Sequence, residues 1–342
     1  MTPLLIRCEA TPALGTGHAM RCLALAEEWM RHGGRAVFAM VEPETAIVER
    51  LRAAGAGVEI VRTAAGSSDD AAETAALAHR LGARWTAVDG PAFGAEWDAA
   101  WPGDAALLRI DDNGLARAFR ADLLLNQNLG GTAADYPQTP AGCRHLLGPR
   151  FALLRPEFLA VADSEVVRGS RMVVTLGGSD PACATERVFA ALLEPAAATL
   201  EADFIIGAGN PRRATLRAAI DAHAPRLQAL VAPADLPRRF ATAPLAVTAG
   251  GTTIYELALL HTPMLLLCTA DNQRRTCANF AAAGAAQYLG WHADVAPAEV
   301  ARMLVAMLAD APRLAALTAS AGCLVDGLGA NRVVEAMSGG GV

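Results

Sequence analysis

The chain is expected to fold as two consecutive α/β halves, each a doubly wound, Rossmann-like parallel sheet. Three observations carry that expectation. Short apolar runs alternate with segments whose apolar residues recur every three or four positions along most of the 342 residues. The rhythm breaks once, on the two prolines of Gly148-Pro149-Arg150-Phe151-Ala152-Leu153-Leu154-Arg155-Pro156-Glu157. Glycine-rich turns follow apolar runs at Gly15–His18, Gly177–Pro181 and Gly250–Thr253. Alternation of this kind implies βαβ units and a sheet covered on both faces.

In the first half, Leu4–Cys8, Ala36–Val41, Val58–Val61, Thr86–Asp89, Ala106–Asp111 and Leu123–Asn126 read as strands. His18–Arg31, Glu44–Ala53 and Asp70–Leu81 read as helices between them. The second half repeats the scheme with strands at Met172–Leu176, Phe204–Ile206, Leu227–Val231, Leu245–Thr248 and Met264–Leu267. Its helices are expected at Pro181–Leu193, Arg212–Ala222, Leu236–Thr242, Thr252–Leu260 and Asn272–Ala283. The expected division is 1–150, 151–325 and a C-terminal helix and tail over 326–342, with a cleft between the carboxyl strand ends of the two halves, where open α/β sheets bind ligands.

Composition narrows the function classes. A net charge of −6 without a basic run argues against nucleic acid or an anionic membrane as partner. The apolar stretch Leu257–Cys268 contains His261 and Pro263 and is shorter than the roughly 20 residues of a membrane span. Met1-Thr2-Pro3 leads into a run interrupted by Arg7 and closed by Glu9, unlike a secretory leader, so a cytoplasmic protein is expected. The seven cysteines form no Cys-x-x-Cys pair, which supports neither a zinc site nor a disulfide framework. All 29 basic residues are arginine, so a P-loop lysine and lysine Schiff-base chemistry are excluded.

Gly15-Thr16-Gly17-His18 lies between the first strand and the first helix. A strand, a glycine turn and a helix in this order direct free backbone N–H groups and the positive end of a helix dipole at one spot, which suits negative charge. An imidazole there is placed to take a proton from water or a hydroxyl beside a bound anion. In the second half, Gly250 and Gly251 let backbone approach a phosphate, Thr252 or Thr253 offers a hydroxyl, and Glu256 stands one turn on, able to accept two ribose hydroxyls. Thr253-x-x-Glu256 equally has the spacing of a capping box. Ala270-Asp271-Asn272-Gln273 adds amide donors after another apolar run, with Asp271 alternatively an N-cap. Arg21, one turn after His18, suits either a diphosphate or a carboxylate of the cleft, and Asp111-Asp112 either orients His18, binds sugar amides or marks a turn. No glycine turn has the full Gly-x-Gly-x-x-Gly form, Met20 standing where a third glycine belongs, so hydride transfer from a dinucleotide is not expected.

Seven ordered motifs together resemble a known family. They are Gly15–Leu23, Ile110–Asp112, Leu125–Asn128, Leu147–Phe158, Leu176–Pro181, Ala249–Glu256 and Ala270–Gln273. In that order they look like the UDP-2,4-diacetamido-2,4,6-trideoxy-β-L-altropyranose hydrolases of pseudaminic acid biosynthesis, similar in fold to the GT-B glycosyltransferases. The resemblance runs from about residue 3 to Asn331. It implies a GT-B-like fold and cleavage of the anomeric bond to UDP by water, with inversion and without metal or cofactor. It implies His18 as the catalytic residue. Gly15, Gly17, Arg21, Asp89 and Asn126 are expected to bind substrate in the first half. Gly177, Gly178, Ser179, Gly250, Gly251, Thr252, Glu256, Asn272 and Gln273 would hold UDP. The only partner expected is the UDP-sugar, and the chain is expected to act as a monomer. The absence of any Asp-x-Asp motif suits a diphosphate held by helix N-termini instead of magnesium.

One departure is plain. The family often follows the fourth strand with Asp-x-Tyr, whereas this chain has Asp89-Gly90-Pro91, leaving the phenol's place open to another group. A hydrolase acting on a related UDP-diacetamido sugar, a GT-B transferase using a UDP-sugar donor and a non-catalytic UDP-sugar-binding subunit are the alternatives. No exposed apolar and basic patch of a membrane-bound transferase is readable, and binding alone does not require His18.

Overall fold

The computed structural model describes residues 2–11, 15–102, 104–112 and 120–339. The chain divides into two compact units, 1–155 with 327–342 and 156–326. Both are α/β, and each contains one wholly parallel sheet.

The first unit runs β1 (Pro3–Cys8), α1 (Gly17–Arg31), β2 (Arg35–Met40), α2 (Thr45–Ala53), β3 (Gly57–Ile60), α3 (Ser68–Leu81), β4 (Trp85–Asp89), α4 (Ala95–Ala100), β5 (Ala106–Ile110), β6 (Leu123–Asn126) and β7 (Arg144–Leu147). Its strand order is β3-β2-β1-β4-β5-β6-β7, so the chain reverses its direction of winding between β1 and β4. Central strands are apolar throughout because both faces are covered: Leu4 and Ile6 pack with Cys22, Leu25 and Trp29 on one side, while Leu5 packs with Val88, Trp97 and Leu107 on the other. α3 begins at Ser67, whose hydroxyl accepts from the Asp70 N–H, and ends at Gly82 in a left-handed cap.

The second unit contains α5 (Pro156–Ala162), β8 (Arg171–Thr175), α6 (Ala184–Leu193), β9 (Glu201–Ile206), α7 (Arg213–Asp221), β10 (Leu227–Val231), α8 (Leu236–Thr242), β11 (Ala246–Thr248), α9 (Thr253–Leu259), β12 (Met264–Cys268), α10 (Arg274–Ala282), β13 (Gln287–Trp291), α11 (Pro297–Leu308) and α12 (Ala311–Gly322). Its order, β10-β9-β8-β11-β12-β13, reverses between β8 and β11. The last helix, α13 (Gly329–Met337), belongs to the first unit. Val333, Val334 and Met337 join the core around α1, and Met337 O accepts from the Trp85 indole at 2.8 Å.

Several boundaries differ from expectation for identifiable reasons. β2 ends at Met40 because the Val41 N–H turns to the Glu9 carboxylate at 3.2 Å. α6 starts at Ala184 and not Pro181: Asp180 and Cys183 both have positive φ, and the Asp180 carboxylate accepts from the Ala184 and Thr185 N–H groups at 2.9 and 3.0 Å. β5 stops at Ile110, so Asp111 and Asp112 lie in the loop beyond it. β7, β13, α4, α5, α11 and α12 carry no counterpart in the expected elements. β7 and β13 are edge strands only partly covered, and β13 is interrupted by Gly290 beside a register shift.

Candidate active site

In each sheet the reversal of winding leaves a crevice at the carboxyl ends of two neighbouring strands, the usual ligand position in this architecture. In the first unit those strands are β1 and β4, paired in register so that Cys8 lies beside Asp89. Helical spacing then places His18, Arg21 and Cys22, at i, i+3 and i+4 of α1, on one face over the end of β4.

All three reach Asp89. Its Oδ1 lies 2.9 Å from His18 Nδ1 and accepts from Arg21 Nη2, while its Oδ2 accepts from Arg21 Nε at 2.6 Å and from the Cys22 thiol at 3.4 Å. Arg21 spans two carboxylates, its Nη1 donating to both oxygens of Asp112 at 2.8 and 2.7 Å. Asp112 is itself held by Asn128, whose Nδ2 donates to its backbone oxygen at 2.9 Å and to Oδ1 at 3.3 Å. Arg21 is 3% exposed and the Asp89 side chain fully buried, whereas His18 and Asp112 keep 24% and 23% of their side chains in solvent. The imidazole therefore forms the open end of a buried ionic chain.

Burial pushes the Asp89 carboxyl up, but the Arg21 charge, then the His18 ring and the hydrogen bonds from both, hold it well below the usual carboxylate range. For Arg21, the charges of Asp112 and Asp89 outweigh burial and raise it well above its ordinary value. Burial likewise pushes the Cys22 thiol far up, so it stays a protonated donor. One arginine against two carboxylates leaves a single excess negative charge beside the imidazole.

Gly15 has φ +73°, a conformation that favours glycine, and its N–H donates to Thr11 O at 2.8 Å. A Cβ on Gly17 would meet nothing within 4 Å. Asn126, expected among the substrate ligands, stands behind the site and not in it. It is 2% exposed, its Oδ1 accepting from the Asn128 N–H and its Nδ2 donating to the Tyr136 hydroxyl at 2.9 Å in each case. That hydroxyl donates in turn to Asp111 O at 2.8 Å, so Tyr136, the one tyrosine before residue 255, cannot take the place of the phenol absent after Asp89. Beyond Asp89 the loop instead turns through Gly90, at φ +143°, and buries Phe93 under Arg7, whose guanidinium carbon is 4.8 Å from the ring centroid.

The second unit is equipped differently at its own reversal, between β8 and β11. Gly177, at φ +105°, and Gly178 are exposed, with Ser179 half-buried beside them. The Asp180 carboxylate satisfies the first N–H groups of α6, so the exposed backbone of Gly177 and Gly178, and not that helix start, is what this strand exit offers a ligand. After β11, Gly250 is buried, and a Cβ there would come within 2.5 Å of Cys277 Sγ; at Gly251 it would face open space. Thr252 is the N-cap of α9 and makes no side-chain capping bond, so Thr253 is the first helical residue and the Thr253–Glu256 pair does not form a capping box. Glu256 is buried one turn inside. Gln273 ties the loops together, its Oε1 accepting from Gly250 N at 3.3 Å and from Thr269 N and Oγ1 at 3.2 and 3.1 Å. Asn272 is exposed beside it, and Asp271 pairs with Arg274 at 2.8 Å without capping α10.

Of the two partners the sequence offered Arg21, a diphosphate or a carboxylate of the cleft, the structure shows the carboxylate, but the sequence did not say that one arginine bridges Asp89 and Asp112. The available signal was the i, i+3 placement of His18 and Arg21, which needed only the strand order to find its carboxylate. Among the described residues, no three His, Cys, Asp or Glu side chains are grouped as metal ligands, and no helix is long and apolar enough to cross a membrane.

No family model matches the chain. It is similar to the spore coat polysaccharide biosynthesis protein SpsG of Bacillus subtilis, with 28% identity over 189 residues, or 54% of this chain. The match spans 56% of that protein's length. Among solved structures, the chain is similar to Acinetobacter baumannii MurG, at TM-score 0.66 and 15% identity over 99% of this chain and all of that one. It is also similar to the spinosyn rhamnosyltransferase SpnG complexed with thymidine diphosphate, at TM-score 0.65 and 18% identity over 98% of this chain and all of that one. A putative UDP-N-acetylglucosamine 2-epimerase from Listeria monocytogenes gives TM-score 0.67 and 13% identity, covering 98% and 96% of the two chains. These likenesses establish a GT-B-like fold of two Rossmann-like α/β units.

Proposed function

We propose that the chain is a UDP-sugar hydrolase acting on UDP-2,4-diacetamido-2,4,6-trideoxy-β-L-altropyranose, releasing UDP and the free sugar for nonulosonate biosynthesis in the cytoplasm. The observation that carries this reading is the half-open imidazole of His18 at the first unit's topological reversal, anchored to a buried carboxylate. Water attacks the anomeric carbon from the face opposite UDP, its proton passes to His18, a new C–O bond forms, and the bond to the diphosphate breaks with its electron pair leaving on UDP. Inversion follows from the single displacement. The excess negative charge around His18 favours the imidazolium as it forms and repels a diphosphate, so the nucleotide is assigned to the second unit's Gly177–Ser179, Gly250–Thr252, Glu256 and Asn272–Gln273. Gly17, Gly178 and Gly251 support a ligand's close approach, since nothing in the protein would obstruct a Cβ at any of the three.

Likeness to the spinosyn rhamnosyltransferase and to a polysaccharide biosynthesis protein supports a second reading, transfer of the sugar from UDP to an acceptor hydroxyl deprotonated by His18. One experiment separates them. The purified protein is incubated in H₂¹⁸O and excess EDTA with a panel of UDP-diacetamido-trideoxy sugars and UDP-GlcNAc, and products are followed by NMR and mass spectrometry. Hydrolysis predicts UDP release from a trideoxy sugar without acceptor, with ¹⁸O on the sugar C1 hydroxyl. Label in the UDP phosphate, or turnover of UDP-GlcNAc alone, sinks the hydrolase reading.

A further inference from the structure

We infer that Asp89, clamped by Arg21 and Asp112, is a positioning residue that fixes His18 with its proton on Nδ1 and presents Nε2 as the base, and that Arg21 is not a ligand of the diphosphate. The inference rests on the proposed role of His18 and replaces the expectation that Asp89 and Arg21 bind substrate.

An ionised carboxylate only accepts hydrogen bonds, so the 2.9 Å contact between Asp89 Oδ1 and His18 Nδ1 places the proton on the ring nitrogen. The other nitrogen is then an acceptor, as a base requires. Asp89 keeps this orientation because Arg21 grips both of its oxygens, Nε on one and Nη2 on the other, in the fork geometry that only arginine supplies. Arg21 Nη2 lies 3.3 Å from the same Nδ1 and, being able only to donate, competes for that nitrogen, but the shorter 2.9 Å contact with the Asp89 carboxylate decides for a proton on Nδ1. The remaining guanidinium nitrogen, Nη1, is occupied by both oxygens of Asp112, and Asn128 fixes Asp112 in turn. Four of the five N–H groups of Arg21 are therefore taken by carboxylates and the side chain is buried, so the guanidinium is engaged within the protein and not held out to a phosphate. Asp112 has its own part in the clamp: it holds the guanidinium in the plane that meets Asp89, and its charge keeps the cluster net negative.

The test uses ¹⁵N-histidine-labelled full-length protein, with the His18 resonances assigned by their loss in His18→Ala. Wild type should show Nδ1 protonated and Nε2 bare in the neutral ring. Asp89→Asn should move the proton to Nε2, lower kcat by at least about 100-fold, as wrong-tautomer substitutions do in other His–Asp pairs, and leave the Kd for UDP within about twofold. Arg21→Lys, which keeps the charge but loses the fork, should lower kcat by about 10- to 100-fold, again without weakening UDP. Asp112→Asn, at a partly exposed position that spares the fold, should lower kcat by about tenfold with KM unchanged. A wild-type ring protonated on Nε2, or an unchanged tautomer in Asp89→Asn, overturns the positioning role. A tenfold or greater loss of UDP affinity in Arg21→Lys makes Arg21 a diphosphate ligand. Because the tautomer is read without substrate, failure of the hydrolase assignment would leave this measurement standing and interpretable.

Discussion

The two reversals of winding occupy the same place in their sheets yet carry opposite kinds of chemistry. At β1/β4 the loop ends are filled by side chains that ionise, joined in a buried chain that runs from His18 through Asp89 and Arg21 to Asp112. At β8/β11 the ends are glycine and amide. The carboxylate nearest the β8 exit, Asp180, is used to cap α6, and Gln273 holds the loops with a neutral oxygen. A proton acceptor needs a fixed electrostatic surrounding, which side chains supply; a diphosphate needs many donors at close range, which bare backbone supplies. The difference shows that one topology can be specialised after folding is secured, by what is set on the strand ends.

Removing His18 breaks the comparison most directly. His18→Ala should lower kcat by roughly 10²- to 10⁴-fold while UDP affinity in calorimetry is nearly unchanged, since general-base assistance belongs to the transition state. A variant with full kcat would strip the first reversal of its assigned role.

The contrast can be sharpened inside the first sheet, where Asp98 is buried like Asp89 but shifts the other way. Burial pushes it up to about 6, the Arg109 charge opposing this and Asp111 adding to it, and its Oδ1 has no hydrogen-bond partner among the described residues. Between the ordinary carboxyl range and pH 6 the unfolded chain has released a proton that the folded protein retains, so stability falls as pH rises through that window, by about 3 kcal/mol in all. Denaturant titrations at pH 4 to 7 should show this extra downward slope in wild type relative to Asp98→Asn. Parallel curves would mean that Asp98 is ionised throughout.

Glu256→Ala should weaken UDP by about 1.5–3 kcal/mol, the range for a hydrogen bond to a charged group, with little change in kcat at saturation. Unaltered affinity would confine Glu256 to the interior of α9. The smallest effects should separate neighbouring glycines. Gly250→Ala forces a methyl to within 2.5 Å of Cys277 Sγ and should cost about 1–3 kcal/mol of stability. Gly251→Ala meets open space and should change stability by less than about 0.5 kcal/mol, yet weaken UDP binding. Equal thermal shifts for the two would show that the loop is held by something other than contact with α10.

Much of this was legible in the chain itself, and the reasons are local. Leu4–Cys8 or Met264–Leu267 announces a buried parallel strand because both faces must be apolar, and a glycine turn before a helix announces a strand end. β7 and β13 escaped notice because Arg144 and His145 in the one and Gln287 and Gly290 in the other break up any apolar run. The pairing of Arg21 with Asp89, 68 residues away, and with Asp112, 91 residues away, escaped for another reason: it depends on β1, β4 and β5 lying side by side, which no local spacing reveals. Asn126 shows the converse error. A polar residue at a strand end suggests a ligand contact, but here its amide is consumed in bracing the next loop.

The return of α13 to the first unit has a consequence for how the protein comes into being. During synthesis, residues 1–155 emerge first but lack the wall supplied by Val333, Val334 and Met337, while 156–326 form an uninterrupted stretch that holds its whole core. The later-made unit can therefore finish folding before the earlier one. Until the ribosome has passed residue 337, the apolar face of α1 and the indole N–H of Trp85 wait without their final partners, so the half that carries His18 completes its core only after 156–326 has been made.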